Sequence, residues 1–239
     1  MITLRPAAAR GSFDFGWLRT AHTFSFGEYH DPRHTHFRSL RVINEDHVAA
    51  GQGFGMHPHR DMEILTWILS GSLQHEDSMG HREVIRPGEV QIMSAGTGVL
   101  HSEVNPDPKV PVHLLQIWLF PDRKNLPPRY DQRSLPREQM RDRAALLAAP
   151  PGEGGIVDIH QDARIYATEL SPGASVTIAL GAATGDPVRG AWVQVARGQV
   201  QVGTQRLGPG DGAAITGEPS VALVGVGNEP AEVLVFDLA

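Results

Sequence analysis

From residue 40 onward the chain alternates short apolar runs with clusters of Gly, Pro and Ser, a rhythm too brief for helices and suited to strands joined by turns. The first series covers 41–44, 64–69, 73–77, 83–85, 89–93 and 113–120. A second series follows at 156–159, 165–170, 175–180, 191–196, 199–202, 213–215, 221–226 and 233–238. Pro127-Pro128 separates the two. After it, Pro136 with Met140, Ala144 and Leu147 at helical spacing points to a short helix, while 144–149 alone would equally suit a buried strand. The combined reading is a short connecting helix and then a strand. Before residue 40, 23–26 alternates like a strand and 30–36 reads as a turn-rich loop. The sequence therefore predicts an all-β protein of two double-sheet jelly rolls, residues 1–133 and 134–239.

Composition narrows the chemistry. The formal charge is −6 and no Lys/Arg cluster occurs, which argues against direct nucleic-acid or anionic-membrane binding and favours a small ligand. No cysteine is present, so thiolate catalysis, disulfides and Cys-ligated metals are excluded, and any metal must be held by His and carboxylate. The start lacks an apolar core of signal-peptide length. The longest strongly apolar run, 114–120, contains Gln116 and is too short to cross a bilayer, so a cytoplasmic protein is expected. Eleven of the twelve histidines lie between His22 and His113, which assigns imidazole chemistry to the first half.

Two pairs stand out there, His57-Pro58-His59 and His101-Ser102-Glu103. On a strand, residues i and i+2 share a face, so two adjacent extended segments would aim three imidazoles and one carboxylate into one cavity. Pro58 reinforces this, because a residue before proline is pushed into extended geometry. Gly51, Gly53 and Gly55 permit sharp bends just upstream. Such pairs can also be ordinary hydrogen-bonded polar residues in a cleft, but two of them at matched spacing favour a metal. His34 and His36 form a third pair on an exposed loop with no partner pair nearby. His75, His81 and His113 are each more economically read as ordinary hydrogen-bonded or surface histidines. The second half has no comparable pair, so a packing role is expected for it.

Longer phrases carry a family resemblance. Gly51-x5-His57-x-His59-x3-Glu63 resembles the first cupin motif, and His101-x3-Asn105 the end of the second. The stretches from Arg19 to Gly27, Gly53 to Glu63 and Met93 to Glu103 resemble the pirin family, bicupin proteins with one metal in the N-terminal barrel. The resemblance implies His57, His59, His101 and Glu103 as ligands, a strand at 144–149, and a C-terminal cupin-like barrel without metal. Glu63 is followed by Gly71 after seven residues rather than six, and Ser94-Ala95-Gly96 replaces the usual Pro-x-Gly. Both departures suit a cupin in which Glu63 is a supporting carboxylate, orienting a ligand imidazole, and not itself a ligand. One divalent transition metal is implied, Fe(II) foremost, with Ni, Cu, Co, Mn or Zn able to enter the same cage. The implied activity is quercetin 2,3-dioxygenase-like cleavage of a flavonol or similar enol by dioxygen, with Glu103 doubling as general base. The alternative implied is a redox-dependent regulatory protein that binds a transcription factor or enzyme partner without catalysis.

Overall fold

The computed structural model describes residues 1–181 and 189–239. Among them the strands are β1 (Ile2–Arg5), β2 (Gly11–Asp14), β3 (Leu18–His22), β4 (Leu40–Val48), β5 (Gly53–His59), β6 (Glu63–Ser70), β7 (Leu73–Asp77), β8 (Arg82–Ile85), β9 (Glu89–Ser94), β10 (Val99–Val104), β11 (Val112–Leu119) and β12 (Arg129–Ser134). A helix of one turn, α1 (Arg137–Met140), follows. The second series comprises β13 (Ala145–Ala149), β14 (Val157–Asp158), β15 (Ala163–Leu170), β16 (Ser175–Ala179), β17 (Gly190–Arg197), β18 (Gln199–Val202), β19 (Gln205–Leu207), β20 (Gly212–Thr216), β21 (Ser220–Val226) and β22 (Ala231–Leu238). The expected helix followed by a strand is present at α1 and β13. No helix of the described residues is long and apolar enough to cross a membrane.

The chain forms two compact units. One comprises Gly11–Ser134 with Val157–Gln161, the other Met1–Arg10, Leu135–Ile156 and Asp162–Ala239. The first unit is a double-sheet jelly roll. Its larger sheet runs β12-β9-β6-β11-β4-β3-β2 and its smaller sheet β5-β10-β7-β8. Strand β6 sits at the centre of the large sheet and is buried from Glu63 to Leu69, as its almost unbroken apolar run requires. Two apolar clusters close the unit, one around Val48, Ile68, Ile85 and Val112 and one around Ile64, Met93 and Val99.

A polar row crosses this otherwise apolar sheet. His22 is register partner to Asn44, Asn44 to Gln116, Gln116 to Thr66, and Thr66 to Gln91. Directly opposed residues on neighbouring strands share a face, so one line of buried polar side chains spans five strands. Asp46, two residues beyond Asn44, is paired with Thr20 and shares that face.

The sequence places a strand at 23–26, whereas β3 already ends at His22. The Ser25 hydroxyl donates to the Asp31 carbonyl, and the Ser25 amide donates to the His34 carbonyl. The Arg41 guanidinium also donates to the carbonyls of Ser25 and Thr35. These bonds satisfy the backbone locally and hold 25–35 as a closed loop.

In the second unit one sheet contains β1-β20-β17-β22-β15-β13 in that order, the other β16-β21-β18-β19. Strand β1 pairs with β20 from Ile2↔Ile215 to Arg5↔Gly212, covering that edge. Among the described residues a cluster of fifteen buried apolar side chains packs in this unit, including Val193, Val200, Leu223 and Val235. The buried Arg189 guanidinium binds Asp237 at 2.7 Å and Asp162 at 2.8 Å.

Candidate metal centre

Both ligand pairs lie on adjacent antiparallel strands of the small sheet in the first unit. On β5 and β10, His57 is opposite His101 and His59 opposite Val99. The register slips between His101 and Glu103, where Glu103 meets Phe54, so β5 carries the extra residue near Gly55. Ring centroids of His57 and His101 are 4.4 Å apart, and His59 is 4.8 Å from each. One ring nitrogen of each of the three lies within 4.8 Å of the others. Three of the four side chains in the two i, i+2 pairs thus come together.

Hydrogen bonds fix which nitrogens face the cavity. His57 Nδ1 lies 2.8 Å from the Gly55 carbonyl; a carbonyl only accepts, so Nδ1 carries the proton and Nε2 keeps its lone pair. On the other side, His75 Nε2 lies 3.0 Å from an Asp77 carboxylate oxygen and must donate to it. The His75 Nδ1 is then an acceptor, and His101 Nδ1, 3.4 Å away, donates to it. His101 Nε2 is left buried with no hydrogen-bond partner among the described residues. An orphaned buried imidazole nitrogen beside two further imidazoles suits a metal ligand, since a polar atom buried without a partner is otherwise costly.

Charge favours the same outcome. Burial, reinforced by the neighbouring imidazoles, lowers His101 to about 2. Burial and then His57 lower His59 to about 4. Both rings are therefore neutral at physiological pH, as a metal ligand must be. Asp77 is held below the usual carboxylate range: its burial opposes this, but hydrogen bonds from His75 and His81 outweigh it.

Glu103 is placed differently from the three histidines. Its carboxylate lies within reach of His101 and His75, not of the His57–His59–His101 group as a whole. It accepts from Gln116 Nε2 at 2.7 Å and from the Thr66 hydroxyl at 3.3 Å, the middle of the polar row. Burial, opposed by the Thr66 hydrogen bond and aided by nearby Asp46, pushes it up to about 7. Glu103 and two of the histidines, His57 and His59, nonetheless line one cavity of about 250 Å³. Phe26 and Trp118 form its apolar side, edge-to-face at 5.2 Å, and Trp118 also meets His59 edge-to-face.

Glu63 does not orient a ligand imidazole. It accepts from the Ser94 hydroxyl and the His160 amide, ties between β6, β9 and the 157–161 segment. His113 and His81 do not line the cavity: His113 donates to Glu45 and stacks on His47, and His81 binds Asp77. His75 belongs to the site, although the sequence reading sets it aside. The usable signal was the spacing His75-x-Asp77, the same i, i+2 relation that marks the ligand pairs.

The chain matches the family model described as "Pirin" over residues 4–119 and the "Quercetinase C-terminal cupin domain" over 146–238. A quercetin 2,3-dioxygenase of Escherichia coli K12 is 42% identical over 238 residues, covering 100% of this chain and 99% of that protein. A putative quercetin 2,3-dioxygenase of Pasteurella multocida is 44% identical over the full length of both. Among solved structures, the E. coli bacterial pirin YhhW in complex with nickel(II) has a TM-score of 0.90 at 42% identity, covering 100% of this chain and 99% of that one. With a metal-ready histidine cluster in the first unit and two jelly-roll units matching along their length, the chain belongs to the pirin family.

Proposed function

We propose that this protein is a metal-dependent dioxygenase that cleaves a flavonol or a related enol, with His57, His59, His101 and Glu103 as ligands of one divalent transition metal. The observation that carries this reading is the convergence of three imidazoles, one with an orphaned Nε2, beside a cavity that two of them line together with the Glu103 carboxyl group. Relatives named quercetin 2,3-dioxygenase and a nickel(II) complex of a bacterial pirin support it. Iron(II) is the leading candidate by ligand type and family resemblance, and nickel, copper, cobalt, manganese or zinc suit the same donors. A bound metal supplies Lewis acidity toward an enol oxygen and the redox capacity that dioxygen chemistry requires.

The chain's own residues do the remaining work. Phe26 and Trp118, set edge-to-face, give an aromatic substrate an apolar wall to pack against and keep water from the histidines. Glu103, poised near neutrality, takes the enol proton on its carboxylate, and Gln116 Nε2 holds that carboxylate facing the cavity. The His75–Asp77 pair fixes the His101 ring from behind.

The test is oxygen uptake with quercetin by iron-loaded protein. Turnover well above that of free iron, lost in Glu103→Ala, is expected. No turnover above free metal, or full turnover in the variant, would refute the assignment.

A further inference from the structure

The polar row across the large sheet divides into two halves with different fates. Gln116 and Thr66 are committed to Glu103, and Gln91 is committed to Thr66. On the other side Asn44 and Asp46, only 4% and 5% exposed, are not tied to that network. Asn44 Oδ1 and Asp46 Oδ1 have no hydrogen-bond partner among the described residues. Both side chains line the same cavity as His57, His59 and Glu103. Leaving two acceptors buried and unpaired on an apolar-flanked wall costs stability, and such groups in native proteins mark places where something else supplies the donor.

We propose that Asn44 and Asp46 are specificity-determining residues that accept hydrogen bonds from hydroxyl groups of the substrate other than the enol that meets the metal. The ligand class is therefore a polyhydroxylated aromatic, not merely an aromatic enol. This rests on the dioxygenase reading for the placement of the enol at the histidines. An ionised Asp46 can only accept, so it selects for a donor and against a bare ring edge or a carboxylate. Thr20, its register partner on β3, offers its hydroxyl to the Asp46 carboxylate, whose Oδ1 is the oxygen left open toward the cavity. Phe26 and Trp118 bind any flat ring and contribute affinity without discrimination; the two acceptors supply the choice. A site built to satisfy a substrate hydroxyl rejects the analogue lacking it far more strongly than an apolar pocket rejects a missing methylene, because the protein's own groups are then left unpaired.

The experiment compares two probes on metal-loaded protein under anaerobic conditions, with binding read from tryptophan fluorescence. Quercetin carries hydroxyls on both ring systems, whereas 3-hydroxyflavone retains the enol alone. Wild-type protein should bind quercetin at least about tenfold more tightly. Asp46→Leu and Asn44→Leu, each verified as folded by thermal melting, should each erase most of that preference while leaving 3-hydroxyflavone affinity within about twofold. Equal affinity of the wild type for both probes, binding of neither, or equal losses for both probes in the variants would overturn the proposal. The wild-type comparison stands even where a variant fails to fold. Oxygen uptake separates this from the reading beneath it. Turnover without hydroxyl preference sinks the recognition wall alone, and preference without turnover sinks the dioxygenase alone.

Discussion

Metal affinity in this protein should depend on pH through Glu103. Burial moves its carboxyl from 4.5 to about 7, which corresponds to roughly 3 kcal/mol against the ionised form. His59 and His101 move the other way, to about 4 and about 2, and need lose no proton near neutrality. A metal requires its ligands deprotonated. Below about pH 7 each ion captured with Glu103 must displace one proton, so the dissociation constant should rise about tenfold for each pH unit lost, and level off above. The metal-free protein carries the opposite sign. A carboxyl whose folded value is raised stabilises the fold fully below its unfolded value, and that contribution fades as pH rises through about 7. The assay is calorimetric titration of metal-depleted protein with nickel(II) at about pH 6 and about pH 8, in buffers of differing ionisation enthalpy so that released protons are counted. The same titration on Glu103→Gln isolates this group from every other. Wild type should release about one proton more than the variant at the lower pH and the same number at the higher. If the variant keeps both the proton release and the slope, Glu103 does not ligate the metal.

Three further outcomes follow from contacts outside the ligands. Gly53→Ala would put a methyl 2.5 Å from Val104 Cα and closer still to the Glu103 carbonyl, so β5 must move away from β10; stability should fall by about 1–3 kcal/mol in denaturant unfolding and metal content should drop, and wild-type values for both would contradict the close approach. His75→Ala removes the acceptor that fixes the His101 tautomer, so nickel affinity measured against a chromophoric chelator should weaken about 10–100-fold, and an unchanged value would exclude the support role. Arg189→Ala strands the buried Asp237 carboxylate and should cost about 3–5 kcal/mol in unfolding while nickel affinity stays at the wild-type value; a change in affinity without loss of stability would contradict a purely structural ion pair.

The strands were legible because their evidence is local. Alternation, turn residues and the rule that i and i+2 share a face require no knowledge of partners, and they were enough to select His57, His59 and His101. The strand at 23–26 was misread for a reason that is not local: Ser25, Asp31, His34 and Arg41 close that segment into a loop through bonds spanning up to sixteen residues. Glu63 was legible as a supporting carboxylate, yet its partners, Ser94 and the His160 amide, lie 31 and 97 residues away.

What stayed hidden at the site has one physical origin, the register between strands. His75 reads as an isolated histidine until β7 pairs with β10 and brings it behind His101. Asn44, Thr66, Gln91 and Gln116 are single polar residues in four separate runs; only register makes them one buried line. Their partition is what the two proposals draw on. A polar row satisfied throughout would hold Glu103 and nothing more. Because Gln116 and Thr66 bind one carboxylate while Asn44 and Asp46 keep open acceptors on the same wall, the proposed base and the proposed ligand selection would rest on one strand layer. Replacing Gln116 should therefore alter proton transfer and metal affinity without changing hydroxyl preference, and replacing Asn44 should do the reverse, a separation that a single undivided network could not produce.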